Sequence, residues 1–274
     1  MADHVSGKAV VITGAGNGFG RLTALRLGAR GAKVACLDIN GEAARAVAAE
    51  IGGAALGLAA DVTDLAQVRR AVDTAAEAFG AVDVMVNNAG IMPLAYIADH
   101  AEAIDAWNRC IDINFKGVMN GCVAVHDRML AQGRGHVVNL SSIYGNHPFA
   151  GGAVYGATKA AVDYFSHALR QETRGAIKVT VIKPTGVMAT GLGDTVVNRE
   201  AGAPIVGHNA AAFYAGFASY AAGEGGPLLD ADCIEYAFLA PEHIADAIVH
   251  VIDQPWGVAI SDVTVRAAGD HYIA

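Results

Sequence analysis

The run Tyr155-Gly156-Ala157-Thr158-Lys159 sets a phenol and an ammonium four residues apart. On a helix that spacing puts both on one face, one turn apart. A free phenol has a pKa of about 10 and is a poor proton-transfer group at neutral pH. A fixed ammonium nearby favours the phenolate and lowers that pKa. Bringing it to about 7 takes roughly 3 units, or about 4 kcal/mol of differential stabilisation. Such tuning suits general acid–base catalysis. By itself the pair more often marks a solvated helix face. Its neighbours in sequence must decide.

A second group of residues suits a phosphate. Thr13-Gly14-Ala15-Gly16-Asn17-Gly18-Phe19-Gly20 follows an apolar run and precedes a helical one. Small residues there let the backbone approach a pyrophosphate, and a helix N-terminus offers free N–H groups. Asp38 lies about twenty residues further on, where a carboxylate can bind the adenosine ribose hydroxyls. Asp38 would repel a 2′-phosphate. Ile39 and Asn40 follow it, so no arginine waits there, and Asn17 is neutral. These features predict NAD over NADP. Asp38 could alternatively cap the helix that begins near Gly41.

These residues need a scaffold. Short apolar strands alternate with Ala-rich helical stretches. Strands are predicted at Lys8–Thr13, Lys33–Asp38, Ala54–Ala60, Val82–Val86, Gly135–Leu140, Lys178–Ile182 and Ala259–Val265. Helices are predicted after the Gly loop to Arg30 and over Gly41–Ile51, Asp64–Phe79, Ala101–Leu130, Ala153–Arg174 and Pro241–Asp253. The alternation implies an α/β fold, a doubly wound parallel sheet of about seven strands covered by helices on both faces. Nothing reads as an interdomain linker, so residues 1–274 are expected to form one domain. The exception to the rhythm is Thr190–Tyr236, a long Gly/Ala-rich excursion expected to be a lid or binding loop. Ligands of such sheets bind beyond the carboxyl ends of the strands. Asp61-Val62 and Asn87-Asn88-Ala89-Gly90 fall at two such ends.

The bulk numbers exclude several classes. The chain has 274 residues, 53% hydrophobic and 17% charged, with a formal charge of −8. That suits a large core and argues against disorder. No Lys/Arg block appears, so nucleic acid and anionic membrane are not expected partners. Cys36, Cys110, Cys122 and Cys233 lack metal or redox spacing, and the histidines form no ligand pair; no metal is expected. No apolar run spans a bilayer and no export pattern opens the chain, which predicts a cytoplasmic protein.

Taken together, TGAGNGFG at 13–20, Asp61-Val62, NNAG at 87–90, Asn114 in Asn-Phe-Lys-Gly, Ser141-Ser142 and YGATK at 155–159 resemble the short-chain dehydrogenase/reductase family. The resemblance implies a Rossmann-type fold and an NAD(P)(H)-dependent oxidoreductase. It implies that Tyr155 is the acid–base, that Lys159 binds the nicotinamide ribose and lowers the tyrosine pKa, and that Ser142 polarises the substrate oxygen. Asn114 would hold a water joining Lys159 to a proton relay. Gly14, Asn17, Phe19 and Gly20 would surround the pyrophosphate and ribose. Asp61 and Val62 would face the adenine, with Asn88, Ala89 and Gly90 at the adenosine ribose. Pro184 and Val187 would approach the nicotinamide. A homotetramer, or at least a homodimer, is implied through the helices at 101–130 and 153–173. The chain departs from the family at Lys183-Pro184-Thr185-Gly186, where Pro-Gly is usual.

Residues 190–236 are apolar and aromatic, and Ala210–Gly223 is almost uncharged. With Tyr144 and His147 of the loop after Ser142, they predict a pocket for a neutral, fairly hydrophobic secondary alcohol or ketone. A nucleotide-binding sensor without turnover and an NAD-dependent epimerase are the alternatives.

Overall fold

A computed structural model describes residues 3–53, 55–224 and 226–273. Its strands are β1 (Ala9–Thr13), β2 (Lys33–Asp38), β3 (Ala55–Ala59), β4 (Val84–Asn87), β5 (Gly135–Leu140), β6 (Ile177–Pro184) and β7 (Asp262–Val265). The predicted start of the third strand, Ala54, lies outside the described residues. All seven strands pair in parallel, in the order β3-β2-β1-β4-β5-β6-β7. The order reverses direction beside β1, which makes a crevice between the carboxyl ends of β1 and β4.

The helices are α1 (Gly18–Ala29), α2 (Gly41–Ile51), α3 (Leu65–Phe79), α4 (His100–Ile111), α5 (Gly117–Ala131), α6 (Ala153–Glu172), α7 (Ala210–Ala222) and α8 (Pro241–Ile252). Side chains alternate across a strand, and the core divides accordingly. Val10 and Ile12 join Leu27 of α1, Val47 of α2 and Ile248 of α8 on one face. Val11 and Met85 join Val72 of α3, Val125 of α5 and Val162 of α6 on the other. Each such aliphatic side chain contributes roughly 1.5–3 kcal/mol on burial. Local signals set the helix ends: Asp64 accepts the N–H groups of Ala66 and Gln67 ahead of α3, and Gly80 closes it at φ 84°.

Two elements differ from the sequence reading. The helix expected over 101–130 is two helices joined by a wide π turn, Asp112–Lys116, in which Gly117 N–H reaches the Asp112 carbonyl. The cause sits at its centre, since Asn114 is fully buried and turned onto the chain at Ile91. Residues 190–236 contain α7 and short 3-10 turns. The α7 aromatics do not enter the crevice. Phe213, Phe217 and Tyr220 stack on one another and on Phe238.

Candidate active site

The carboxyl ends of β1, β4, β5 and β6 border a cavity of about 640 Å³. It gathers Gly14, Asn17, Phe19, Asp38, Asp61, Val62, Asn88, Ala89, Gly90, Ser142, Tyr144, Tyr155, Lys159, Pro184 and Val187. Residues far apart in sequence therefore face one space. Gly20 and Asn114 lie behind its wall.

At one end the glycines are required by contact. A Cβ on Gly20 would overlap the Gly14 carbonyl, and one on Gly14 would lie 2.9 Å from Ala89 Cα. Gly14 also holds φ at 63°, which favours glycine. Asn17 precedes α1 without capping it, so the first N–H groups of the helix stay open toward the cavity. Asp38 accepts from Gly16 N–H and Asn40 N–H, both at 2.9 Å, through different oxygens. A carboxylate so held keeps lone pairs for two hydroxyls. This donor set fits a dinucleotide.

Two predicted cofactor residues spend their side chains on the protein. Asn88 Nδ2 donates to Thr13 and Gly14 carbonyls at 2.9 and 3.1 Å, which ties the β4 end to the Gly loop. Asp61 Oδ1 accepts from Thr63 N–H and Oγ1 at 2.9 and 2.8 Å. Arg109 of α4 also lines this end, beside Asp61 and Ile39, and sequence reasoning missed it. Its signal is absent from any local motif because the fold brings α4 across.

At the other end stand Ser142, Tyr155 and Lys159, each over nine-tenths buried. Ser142 Oγ accepts from Tyr144 N–H at 3.2 Å, which turns its hydrogen away from the backbone and leaves it to donate. Lys159 Nζ donates to the Leu140 carbonyl at 2.8 Å, leaving two ammonium hydrogens. Burial pushes the Tyr155 phenol up to about 12, against the opposing pull of a hydrogen bond with Ser142. Burial lowers Lys159 to about 8. The depression of the phenol expected from Lys159 is therefore not produced by these side chains alone.

Asn114 links the chain after β4 to α6, also donating to Thr158 Oγ1 at 3.3 Å. Its Oδ1 accepts from Ile91 N–H at 2.9 Å and its Nδ2 donates to the Ile91 carbonyl at 2.8 Å. A Cβ on Gly90 would lie 3.3 Å from Asn114 Oδ1 and 3.7 Å from Lys159 Nζ, so the bare backbone at Gly90 keeps that approach open.

His147 is placed differently from expectation. It is exposed and lines none of the cavity. The tight turn Ile143–Gly145, closed by Asn146 and His147 N–H on the Ile143 carbonyl, carries the chain outward after Tyr144. A residue not anticipated, Tyr272, lines the cavity from the C-terminal tail. Among the described residues no cluster could hold a metal ion, and no helix is long and apolar enough to cross a membrane.

The fold and this arrangement define a dinucleotide-binding α/β oxidoreductase. The family model described as short chain dehydrogenase matches residues 8–201, and the chain belongs to that family. It is 33% identical over 267 residues to an uncharacterized oxidoreductase of Listeria monocytogenes, covering 95% of this chain and 96% of the relative. It is 39% identical over 192 residues to 2,5-dichloro-2,5-cyclohexadiene-1,4-diol dehydrogenase LinX of Sphingobium indicum, covering 68% and 76% of the two chains. Among solved structures it is similar to 3-ketoacyl-(acyl-carrier-protein) reductase from Brucella melitensis complexed with NADH, with TM-score 0.77, 28% identity and coverage of 97% and 99%. It is also similar to the closed form of serine dehydrogenase complexed with NADP+, with TM-score 0.78, 28% identity and 97% of each chain covered.

Proposed function

We propose that the protein is an NAD-dependent dehydrogenase of neutral, fairly hydrophobic secondary alcohols, reducing the matching ketones in reverse. The observation that carries this reading is the convergence of Ser142, Tyr155 and Lys159 on the cavity that also holds the Gly14–Gly20 loop and Asp38. When bound, the nicotinamide supplies the hydride acceptor. The Gly loop and the α1 N-terminus would hold its pyrophosphate, Asp38 the adenosine ribose, and Lys159 the nicotinamide ribose. Val187 and Pro184 would lie beside the nicotinamide.

Tyr155 takes the hydroxyl proton in oxidation and returns it in reduction. Ser142 donates to the substrate oxygen as its charge changes. Asn114 keeps the Gly90–Ile91 backbone in place beside Lys159, at the head of a proton route. Among the described residues, the cations lining the cavity are Arg109, at the proposed adenosine end, and Lys159, already bonded to Leu140; this supports a neutral substrate. The diol substrate named for the Sphingobium relative is of that kind. Asp38 supports NAD over NADP by charge, since a 2′-phosphate beside it would be repelled.

We read residues 1–274 as one unit, with 190–236 covering the substrate end. Exposed Ile104, Ile111 and Tyr164 on α4 and α6 support a homodimer or homotetramer, which light scattering would test. The deciding experiment follows the absorbance of reduced nicotinamide over a panel of neutral alcohols with NAD and with NADP. Turnover confined to anionic substrates, or tighter use of NADP, would overturn the corresponding part of the reading.

A further inference from the structure

The C-terminal tail shapes the substrate end through the segment that departs from the family pattern. Thr185 is buried, and its Oγ1 donates to Asp270 Oδ2 at 3.4 Å. Asp270 also accepts from Arg266 Nε and Nη2 at 3.0 and 2.7 Å. A Cβ on Gly186 would overlap Tyr272 Cζ and Oη, so the Tyr272 phenol rests on bare backbone. The tail is pinned on either side: Asn209 Nδ2 donates to the His271 carbonyl, and Ile273 N–H to the Ile205 carbonyl, both at 3.1 Å. Gly186 and Tyr272 share the cavity with Ser142 and Tyr155. The unusual Pro184-Thr185-Gly186 is thus the seat of the tail.

Tyr144 lines the same cavity. It is 7% exposed, and its hydroxyl is buried with no hydrogen-bond partner. Phe149 holds the ring edge-on, with centroids 4.6 Å apart. A buried hydroxyl left unpaired is costly, and an atom of a ligand is a natural partner for it. Tyr144 lies within the electrostatic reach of both Tyr272 and Tyr155. Two phenols outside the reacting set therefore stand near the reacting pair. Burial holds both phenols protonated, so each is a hydrogen-bond donor at neutral pH.

The geometry points to a second polar subsite, in which Tyr144 and Tyr272 take a substrate oxygen other than the one on the reacting carbon. The inference rests on the oxidoreductase reading above and narrows it. The substrate class is a neutral diol or hydroxy ketone, not a simple secondary alcohol. The hydrophobic ring or chain between its oxygens lies along the apolar cavity wall.

The test compares kcat/KM for cyclohexanol, cyclohexane-1,2-diol and cyclohexane-1,4-diol with NAD, in the wild type and in Tyr144→Phe and Tyr272→Phe. At least one diol should be preferred to cyclohexanol by about tenfold or more, because a site built around a hydroxyl rejects an analogue lacking it. Each variant should lower that preference ratio by about tenfold, the effect of one lost hydrogen bond to a buried donor. NADH binding, read by fluorescence titration, should persist in all three proteins. Equal use of cyclohexanol and both diols by the wild type would overturn the subsite. So would an unchanged ratio in both folded variants, or NADH binding without turnover of either diol. Failure to bind NADH or NADPH at all would instead defeat the oxidoreductase reading.

Discussion

Lys159 carries its ammonium 5.8 Å from the centroid of the Tyr155 ring and fixes it on the Leu140 carbonyl at 2.8 Å. Both side chains are buried, and burial disfavours charge on either. The phenol rises to about 12 while the ammonium falls to about 8. The side chains alone thus keep the proton on Tyr155, ready for donation to a carbonyl. Drawing it off during oxidation needs further positive charge in the cavity.

Replacing Tyr155 by Phe removes the proposed proton carrier and little volume. Turnover in either direction should fall by roughly 10²–10⁴, the usual contribution of a positioned acid–base group. NADH affinity should stay within about threefold, since the cofactor residues are untouched. Steady-state rates and a fluorescence titration measure the two effects separately. Retained turnover would remove Tyr155 from the mechanism.

The two shifted groups also set different pH responses for oxidation and reduction. In the proposed mechanism oxidation needs the phenolate, whose folded pKa lies high, so its rate should climb through the neutral range. Reduction uses the phenol and should be level there. Above about pH 8 Lys159 loses its proton, and cofactor affinity should weaken for both directions. Initial rates in both directions, with KM for the cofactor, give the profile. Oxidation that is fastest in acid would contradict this assignment.

In the proposed reading, cofactor choice rests on Asp38. Asp38→Asn keeps an acceptor near Gly16 and Asn40 but removes the charge that faces a 2′-phosphate. Repulsion between like charges at such range is worth of order 1 kcal/mol even in a wet cleft. The ratio of kcat/KM for NADP to that for NAD should therefore rise about fivefold. Arg109, lining the same end, is a cation placed to receive the phosphate.

Much of the cavity lining is legible in sequence because the candidate residues sit at strand ends, where local signals coincide. The Gly loop lies between β1 and α1, Asp38 ends β2, and Tyr155 and Lys159 share one turn of α6. What could not be read depends on contacts between distant segments. The π turn at Asn114 arises from its pairing with Ile91, while the surrounding sequence keeps a helical pattern. Tyr272 belongs to no motif, and only the packing against Gly186 reveals its place. His147 follows Ser142 closely in sequence, yet one tight turn separates it from the cavity. The α7 aromatics are apolar enough for a pocket, but they cover one another and Phe238 instead.

A stability prediction concerns His136, near the start of β5 and 1% exposed. Thr180 Oγ1 donates to the Ile260 carbonyl at 2.6 Å, so it accepts from His136 Nε2–H at 2.9 Å. That fixes the neutral tautomer and leaves Nδ1 buried without a partner. Burial lowers the folded pKa to about 3 from the ordinary 6.5. The unfolded chain therefore binds a proton that the native state refuses. Stability is full above pH 6.5 and is lost as pH falls toward about 3. Between pH 6.5 and about 5 the loss should approach 2 kcal/mol. Urea unfolding of the wild type and of His136→Gln over that range checks it. The variant should be less stable at neutral pH and should lose less on acidification.

Gly186→Ala tests how the tail is seated. The glycine shows no left-handed φ, so alanine suits the backbone and would by itself be neutral or slightly stabilising. Its Cβ, however, would occupy the place of the Tyr272 phenol. That phenol is the far end of a partly exposed side chain and can swing outward, so the fold should survive with a loss of about 1 kcal/mol. The displaced Tyr272 should raise KM for the substrate several-fold while leaving cofactor KM unchanged. In a Tyr272→Ala background the same substitution has nothing to displace, and its effect on stability should vanish to within about 0.5 kcal/mol. Thermal unfolding of the four proteins completes the cycle. Equal losses in both backgrounds would show that the contact between Gly186 and Tyr272 does not fix the tail.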